Sequence, residues 1–333
     1  MAIEQLTIRA LTRDDLPAVV AIDIEGRSRR DYVERRLAAA LREPRLHAQF
    51  AASDAKGLAG YILARVLEGE FGRSEPGLRL EMVGVRPDAR GHGAGARLFQ
   101  VLTDWARRHA IRDAHTTATW RDAAMLGWLG AMGFRLAPSY VLDVSLDKDR
   151  RPVPHEGPVT LPRGHGPGAE VDFGAPQAND DERMASERPE VRAMRPDDLR
   201  EIVRIDRGIT GRDRGSYIEA RLAEAMHDSA IRVSLAARRQ GAIVGFVMAR
   251  ADLGDYGRAA PVAVVDTIGV DVGQSRRQVG RVLLEELFAN LAALQIERVE
   301  TLVASTHLPL LGFFQHNGFR PSQRLAFKRR LDA

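Results

Sequence analysis

The chain has no cysteine in its 333 residues, which excludes disulfides and a thiol nucleophile. Lysine is nearly missing as well. Only Lys56, Lys148 and Lys328 stand among 49 basic residues, and the arginines that make up the rest are scattered among 45 Asp and Glu, leaving a net charge of +4. A nucleic-acid-binding face concentrates its charge on one stripe, often with stacking aromatics. Aromatics are 6% of this chain and form no such stripe, so direct nucleic-acid binding is not expected. No apolar run approaches the length of a membrane span. The opening MAIEQLTIRA lacks the basic-then-apolar layout of a secretory signal, and a cytoplasmic location is the expectation. His155 and His165 have neither metal-ligand spacing nor partners, and no metal is expected.

What is present is organised around the stretch from Leu80 to Leu102, LEMVGVRPDARGHGAGARLFQVL. It opens as an apolar strand to Val85, breaks at Pro87-Asp88, and passes through Arg90-Gly91-His92-Gly93-Ala94-Gly95. A helical run follows, with apolar residues at Leu98, Val101, Leu102 and Trp105. Strand, glycine-rich turn and helix place free backbone N–H groups and a positive helix end at one spot, which suits a phosphate or pyrophosphate. A P-loop is excluded, because neither Lys-Ser nor Lys-Thr follows Gly95. The glycines at 91, 93 and 95 also miss the G-x-G-x-x-G dinucleotide spacing.

The length suits two domains, and the chain repeats itself. Ile8 to Leu16 matches Val191 to Leu199, and Ile22-Asp23 matches Ile205-Asp206. After a two-residue insertion, Tyr32 to Ala38 pairs with Tyr217 to Ala223, Gly84-Val85 with Gly269-Val270, Gly95 with Gly280, and Gly133-Phe134-Arg135 with Gly318-Phe319-Arg320. One register held this long marks a tandem duplication. Each copy reads β-α-α-β-β-β-α-β-α-β-β, with a capped helix start at Thr12, Asp14 and Asp15 and a second helix from about Asp31. Residues 149–189, rich in Pro, Gly and acidic residues, read as a linker. The expected units are therefore 1–148 and 190–333.

Arg90, Gly93 and Gly95, after the Val83-x-Val85 strand end, resemble the coenzyme A pyrophosphate motif [RQ]-x-x-G-x-[GA] of the GNAT-type N-acetyltransferases, and the element order of both copies resembles that fold. The resemblance implies two tandem α/β (α+β) units, each a mixed, mostly antiparallel sheet flanked by helices, with a ligand entering where the fourth and fifth strands splay. It implies acetyl-CoA as cosubstrate. Val83, Gly84 and Val85 would offer backbone groups to the pantetheine arm. Arg90, Gly91, His92, Gly93, Ala94, Gly95 and Ala96 would hold the pyrophosphate. Glu81, four residues before Val85, falls where several GNAT enzymes place a catalytic acid/base, although strand alternation alone would put it on a solvated face. Asp266 takes its place in the second copy. There the loop reads Ser275-Arg276-Arg277-Gln278-Val279-Gly280, an eroded motif that leaves Arg276 and Arg277 as the residual candidates for phosphate pairing, and weak or absent cofactor binding is the expectation for this copy.

Many family members carry a Tyr four residues before the late Gly-Phe pair; here the positions are Leu129 and Phe314. Tyr140 and Tyr61 are substitutes from nearby strands. Trp120 and Asp122 correspond to Ser305 and His307 at the border of the acceptor cleft, and Trp120 and Trp128 are expected to be packed in the interior. The expected activity is direct acetyl transfer to a primary amine, on a small molecule or a protein, with the two units paired within the chain. The alternative is a non-catalytic acyl-CoA-binding or scaffold protein with a degenerate second unit.

Overall fold

A computed structural model describes residues 6–25, 34, 37–38, 40–41, 44–72, 75–146, 188–227, 232–252, 262–274 and 278–332. Arg276 and Arg277, nearly all of the 149–189 segment with His155 and His165, and the start of the helix expected from Asp31 lie outside the described residues. Residues 34, 37, 38, 40 and 41 of that helix are helical.

The first copy runs β1 (Thr7–Ala10), α1 (Leu16–Glu25), β2 (His47–Asp54), β3 (Gly57–Leu67), β4 (Gly77–Val85), α2 (Ala94–Arg108), β5 (Asp113–Thr119), α3 (Ala123–Ala131), β6 (Arg135–Leu136) and β7 (Ser139–Ser145). The second runs β8 (Glu190–Ala193), α4 (Leu199–Thr210), α5 (Gly215–His227), β9 (Arg232–Arg239), β10 (Ala242–Asp252), β11 (Val262–Val270), α6 (Val279–Ala293), β12 (Arg298–Ala304), α7 (Leu308–His316), β13 (Arg320–Pro321) and β14 (Arg324–Arg330). The element order agrees with the sequence reading. No helix among the described residues is long and apolar enough to cross a membrane.

The two sheets have seven strands each, and each is completed by the other copy. Their orders are β1-β2-β3-β4-β5-β14-β6 and β13-β7-β12-β11-β10-β9-β8. Strand β14 pairs with β5 from Arg324↔Thr119 to Arg330↔Asp113, and β7 pairs with β12 from Ser139↔Ala304 to Ser145↔Arg298. The element order of each copy places these closing strands within that copy; the structure exchanges them. The physical reason lies in the connections. Only Ala137-Pro138 separates β6 from β7, and only Ser322-Gln323 separates β13 from β14. A two-residue hairpin needs positive φ, hence Gly, Asn or Asp, and neither pair supplies it. The chain continues outward and crosses to the neighbouring sheet.

The exchange is built into the cores. Phe327 and Leu331 of the second copy pack with Leu98, Phe99, Leu102 and Phe134 of the first. Leu142 and Val144 of the first pack with Leu283, Leu287 and Phe314 of the second. Helix α2 buries Leu98, Phe99, Leu102 and Ala106, one stripe at helical spacing, while Val101 and Trp105 sit at its margin.

Candidate functional site

Two features of β4 open the sheet beside the glycine loop. The pairing with β3 jumps from Leu63↔Met82 to Ala64↔Leu80, so Glu81 is the extra residue of a β-bulge. Strand β5 runs parallel to β4 and pairs with it only at Leu78↔Ala114 and Arg79↔His115. The Thr116 hydroxyl donates to the Leu80 carbonyl at 3.0 Å, and beyond that clasp the strands diverge. Bulges re-aim side chains and recur beside active sites. The second copy repeats the device. Asp266 is skipped between Met248↔Thr267 and Ala249↔Val265, and Thr301 donates to the Val265 carbonyl at 2.9 Å. Glu81 and Asp266 are both buried, at 0% and 5% exposure. Burial, not the solvated face, is where the bulge turns them.

Past the bulge, the Arg86 N–H donates to the Ala59 carbonyl at 2.9 Å. Antiparallel pairs alternate between bonded and non-bonded, so Gly84 directs its backbone groups to β3. Val83 and Val85 direct theirs to the side from which β5 has departed. The Arg90 Nε–H accordingly reaches the Val85 carbonyl at 3.0 Å. The turn is anchored by Arg86, which donates to Asp54 and Asp88 at 2.6 Å each and to the Leu58 carbonyl at 3.0 Å. The Asp88 hydrogen bonds, first Arg86 and then Lys56, hold its carboxyl at a pKa of about 2.

Helix α2 then starts without a side-chain cap. Gly93 is the N-cap residue at φ 82° and makes no capping bond, so the N-cap residue supplies no side-chain acceptor to the first-turn N–H groups of Ala94, Gly95 and Ala96. Residues 90–93 and 96 are exposed. The whole run from Arg90 to Ala96 is thus gathered at one helix end, as the sequence spacing requires.

The duplication provides an internal control on what each glycine is for. A Cβ on Gly60 would lie 2.8 Å from the Gly84 carbonyl, one on Gly84 would lie 2.5 Å from the Tyr61 ring, and one on Gly95 would lie 2.8 Å from Trp128. Their counterparts Gly245, Gly269 and Gly280 face the same obstacles, with Phe246 and Phe313 in place of the aromatics. These glycines are kept in both copies because packing demands them. Gly91 and Gly93 meet nothing within 4 Å, and these two are lost in the second copy. Gln278 takes the Gly93 position at φ 60° as the N-cap residue of α6, with no side-chain capping bond. The left-handed backbone therefore tolerates a side chain there. What glycine preserves at 91 and 93 is open space before the helix end, a cradle that a Cβ would enter.

The remaining candidates separate. Leu129 and Phe314 are core residues at 0% and 1% exposure. Tyr61 is fully buried and donates its hydroxyl to Asp23 at 2.9 Å, on the α1 side of the sheet. Tyr140 belongs to β7 and so lies opposite Val303 on the second sheet; it is not a neighbour of the first glycine loop. Trp128 packs edge-on to Phe99 at 5.9 Å between centroids, as expected. Trp120 departs from the expected packing: it is 55% exposed, and its indole N–H donates to Gln323 Oε1 at 2.7 Å. Asp122 caps α3 by accepting from the Met125 N–H at 3.0 Å, and His307 does the same for α7 with Leu310 at 3.3 Å. Gln323 was not singled out in the sequence, and only strand exchange brings it here. A separate cavity of about 260 Å³ lies between the facing sheets, lined by Arg79, His115, Lys328, Glu300 and Phe71 among others, with no residue of the 81–96 stretch.

The profile of the Acetyltransferase (GNAT) family matches residues 8–134 and 197–319. No curated protein matches the chain. Among solved structures, a tandem GNAT protein from the clavulanic acid biosynthesis pathway aligns over 98% of this chain and 99% of its own, with a TM-score of 0.62 and 17% identity. A GCN5-related N-acetyltransferase from Sphaerobacter thermophilus aligns over 98% and 96%, with a TM-score of 0.59 and 17% identity. At these identities the likeness concerns the fold, and it extends over both copies.

Proposed function

The chain belongs to the GNAT acetyltransferase family, and from that premise we propose that it transfers an acetyl group from acetyl-CoA to a primary amine, on a small molecule or a protein, by direct transfer in a ternary complex. The working site is assigned to the first unit, residues 1–148, and the second unit, 190–333, follows the 149–189 linker. The observation that carries this reading is the selective loss of Gly91 and Gly93 in the second copy, where the packing glycines are retained.

The residues present suit the cosubstrate. The N–H groups of Ala94, Gly95 and Ala96, with the turn from Arg90 to Gly93, would receive the pyrophosphate at the positive helix end. Val83 and Val85 would continue the sheet toward the pantetheine arm. Acetyl-CoA supplies an acyl thioester. The amine must be neutral to attack, and Glu81 takes its proton, directly or through water, as the C–N bond forms. The C–S bond breaks with departure of a thiolate, whose ordinary pKa of about 8.5 lets it leave near neutral pH without a tyrosine acid. Leu129 in the core is compatible with that route.

A calorimetric titration of acetyl-CoA into the full chain and into Gly93→Glu tests the assignment. One bound equivalent that disappears in the variant is expected. Binding that survives the substitution would refute it. The second reading, an acyl-CoA-binding scaffold, draws on the complete burial of Glu81 and the missing tyrosine; it requires binding without turnover across a panel of amines.

A further inference from the structure

Between β3 and β4 the first copy sends residues 67–72 across to the second. The Gly69 carbonyl accepts from the guanidinium of Arg214, which also donates to Asp206, its Nε at 2.9 Å from Oδ2. Gly69 lies against the ring of Tyr217 so closely that a Cβ would come within 2.6 Å of it. The Tyr217 hydroxyl in turn meets the Thr267 hydroxyl at 3.1 Å, one residue from the bulged Asp266. On either side of Gly69 stand carboxylates. Glu68 is 3.2 Å from Arg221, and Glu70 is 3.5 Å from Arg65 and 3.9 Å from Arg221. Glu70 also accepts the N–H groups of Glu68 and Gly69 at 2.8 and 3.1 Å.

This contact is deeply buried. Arg221 is 1% exposed, and Glu70, Tyr217 and Arg214 are buried with it. Burial alone would raise the Glu70 pKa, but Arg65 and Arg221 outweigh it and hold the carboxyl ionised. Burial, followed by the charges of Asp266 and Glu70, pushes the Tyr217 phenol well above its ordinary pKa, so Tyr217 stands between Asp266 on one side and the segment on the other. Each arginine has a carboxylate of its own copy, Asp206 for Arg214 and Glu224 at 2.7 Å for Arg221; the segment adds the Gly69 carbonyl to the first and Glu68 and Glu70 to the second, and only glycine passes between Arg214 and the Tyr217 ring. Phe71, at φ 57°, turns the chain back and lines the cavity between the sheets.

We propose that residues 67–72 are the resident occupant of the second copy's acceptor cleft, latching the halves together and closing Asp266 off from any amine. The term acceptor cleft rests on the proposed function; the closure itself does not. The second copy then serves as a frame that lends β14 to the first and takes this segment in return.

Because the chain has no cysteine, one introduced thiol can be followed alone. Thr267→Cys should react with a maleimide at least 100-fold more slowly than Leu308→Cys, whose position is 70% exposed. Adding Gly69→Ala, which drives a methyl group into the Tyr217 ring, should raise the Thr267→Cys rate at least tenfold. Glu68→Gln, at a side chain 40% exposed, weakens the same contact with little risk to folding and should raise it severalfold. The proposal is overturned if Thr267→Cys reacts within threefold of Leu308→Cys, or if neither latch substitution changes its rate. These rates read closure alone. A failure of amine turnover would overturn the proposed function and leave them standing.

Discussion

The Trp120 indole N–H and the Gln323 side-chain oxygen are 2.7 Å apart in space and 203 residues apart in the chain. Trp120 follows the last residue of β5 at the mouth of the diverging strands, and Gln323 leads into the strand that the second copy contributes. The bond joins the wall of the first cleft to the far end of the molecule. Arg324, the next residue, reinforces the join with guanidinium bonds of 2.8 Å to the carbonyl and the hydroxyl of Thr117. A cleft assembled this way ties the first unit's geometry to the second unit's presence, whatever the second loop binds.

That dependence is measurable through fluorescence. All three tryptophans, Trp105, Trp120 and Trp128, belong to the first copy. Phe327 belongs to the second yet packs in the first core at 9% exposure. Phe327→Ala removes a buried ring and should cost about 3–5 kcal/mol. Denaturant unfolding followed by tryptophan emission should show the midpoint moving down by that amount. An unchanged tryptophan transition, with loss confined to a probe placed in the second unit, would mean the exchanged strand is not part of the first core.

Gln278 holds a left-handed backbone without glycine, an arrangement that costs about 1–2 kcal/mol for an ordinary residue. Gln278→Gly should stabilise the protein by about 1 kcal/mol in a denaturant titration, net of the extra chain entropy of glycine. Reversing the change at the matching position, Gly93→Gln should lose a similar amount and weaken acetyl-CoA binding at least tenfold by calorimetry. Equal affinity in Gly93→Gln would remove the argument that open space is what Gly93 provides.

The duplication and the glycine cradle were legible in the sequence because both are local. A register of matched residues needs no third dimension, and a strand, a turn and an uncapped helix place Arg90 to Ala96 together wherever the unit sits. The strand exchange was not legible in the same way. Ser139 to Ser145 alternates identically on either sheet, and only the missing turn residues at Ala137-Pro138 and Ser322-Gln323 hinted that the chain does not fold back. The Glu81 bulge was hidden too, since one skipped residue leaves the composition of a strand unchanged while it moves a carboxylate from the face alternation assigns it. The contact of Gly69 with Arg214, 145 residues away, has no sequence signal beyond the Glu-Gly-Glu run itself.

The two bulge acids should differ in effect. Glu81→Gln keeps the shape of the side chain and removes the base, so turnover of acetyl-CoA with a competent amine should fall about 10²- to 10⁴-fold. Asp266→Asn, behind the latch, should leave turnover within about twofold. Steady-state rates for both variants decide it. Equal losses would mean that both bulges feed one site or that both substitutions act through folding, and a denaturation curve of each variant separates those cases.

Acid sensitivity should be traceable to the entry of each copy's first helix. Asp15 accepts from Arg9 at 2.6 and 2.7 Å and from the N–H and hydroxyl of Thr12 at 2.8 and 3.0 Å. The Arg9 bonds outweigh burial and bring its pKa to about 2. Asp198 repeats the arrangement with Arg192 at 2.7 and 2.8 Å; burial alone would raise its pKa, but Arg192 and the Arg195 N–H hold it below the ordinary value. A carboxyl depressed in the folded state stabilises the fold fully above its unfolded pKa of about 3.9. Its contribution then drains away as the pH falls toward 2. Asp15→Asn, which loses the ionised cap, should be less stable than the parent by about 1 kcal/mol at pH 6. The gap should close between about pH 4 and pH 2, as the parent takes up its proton. Thermal unfolding of both proteins across that range would show the two curves converging; a gap that stays constant would mean that the Asp15 charge does not contribute to stability.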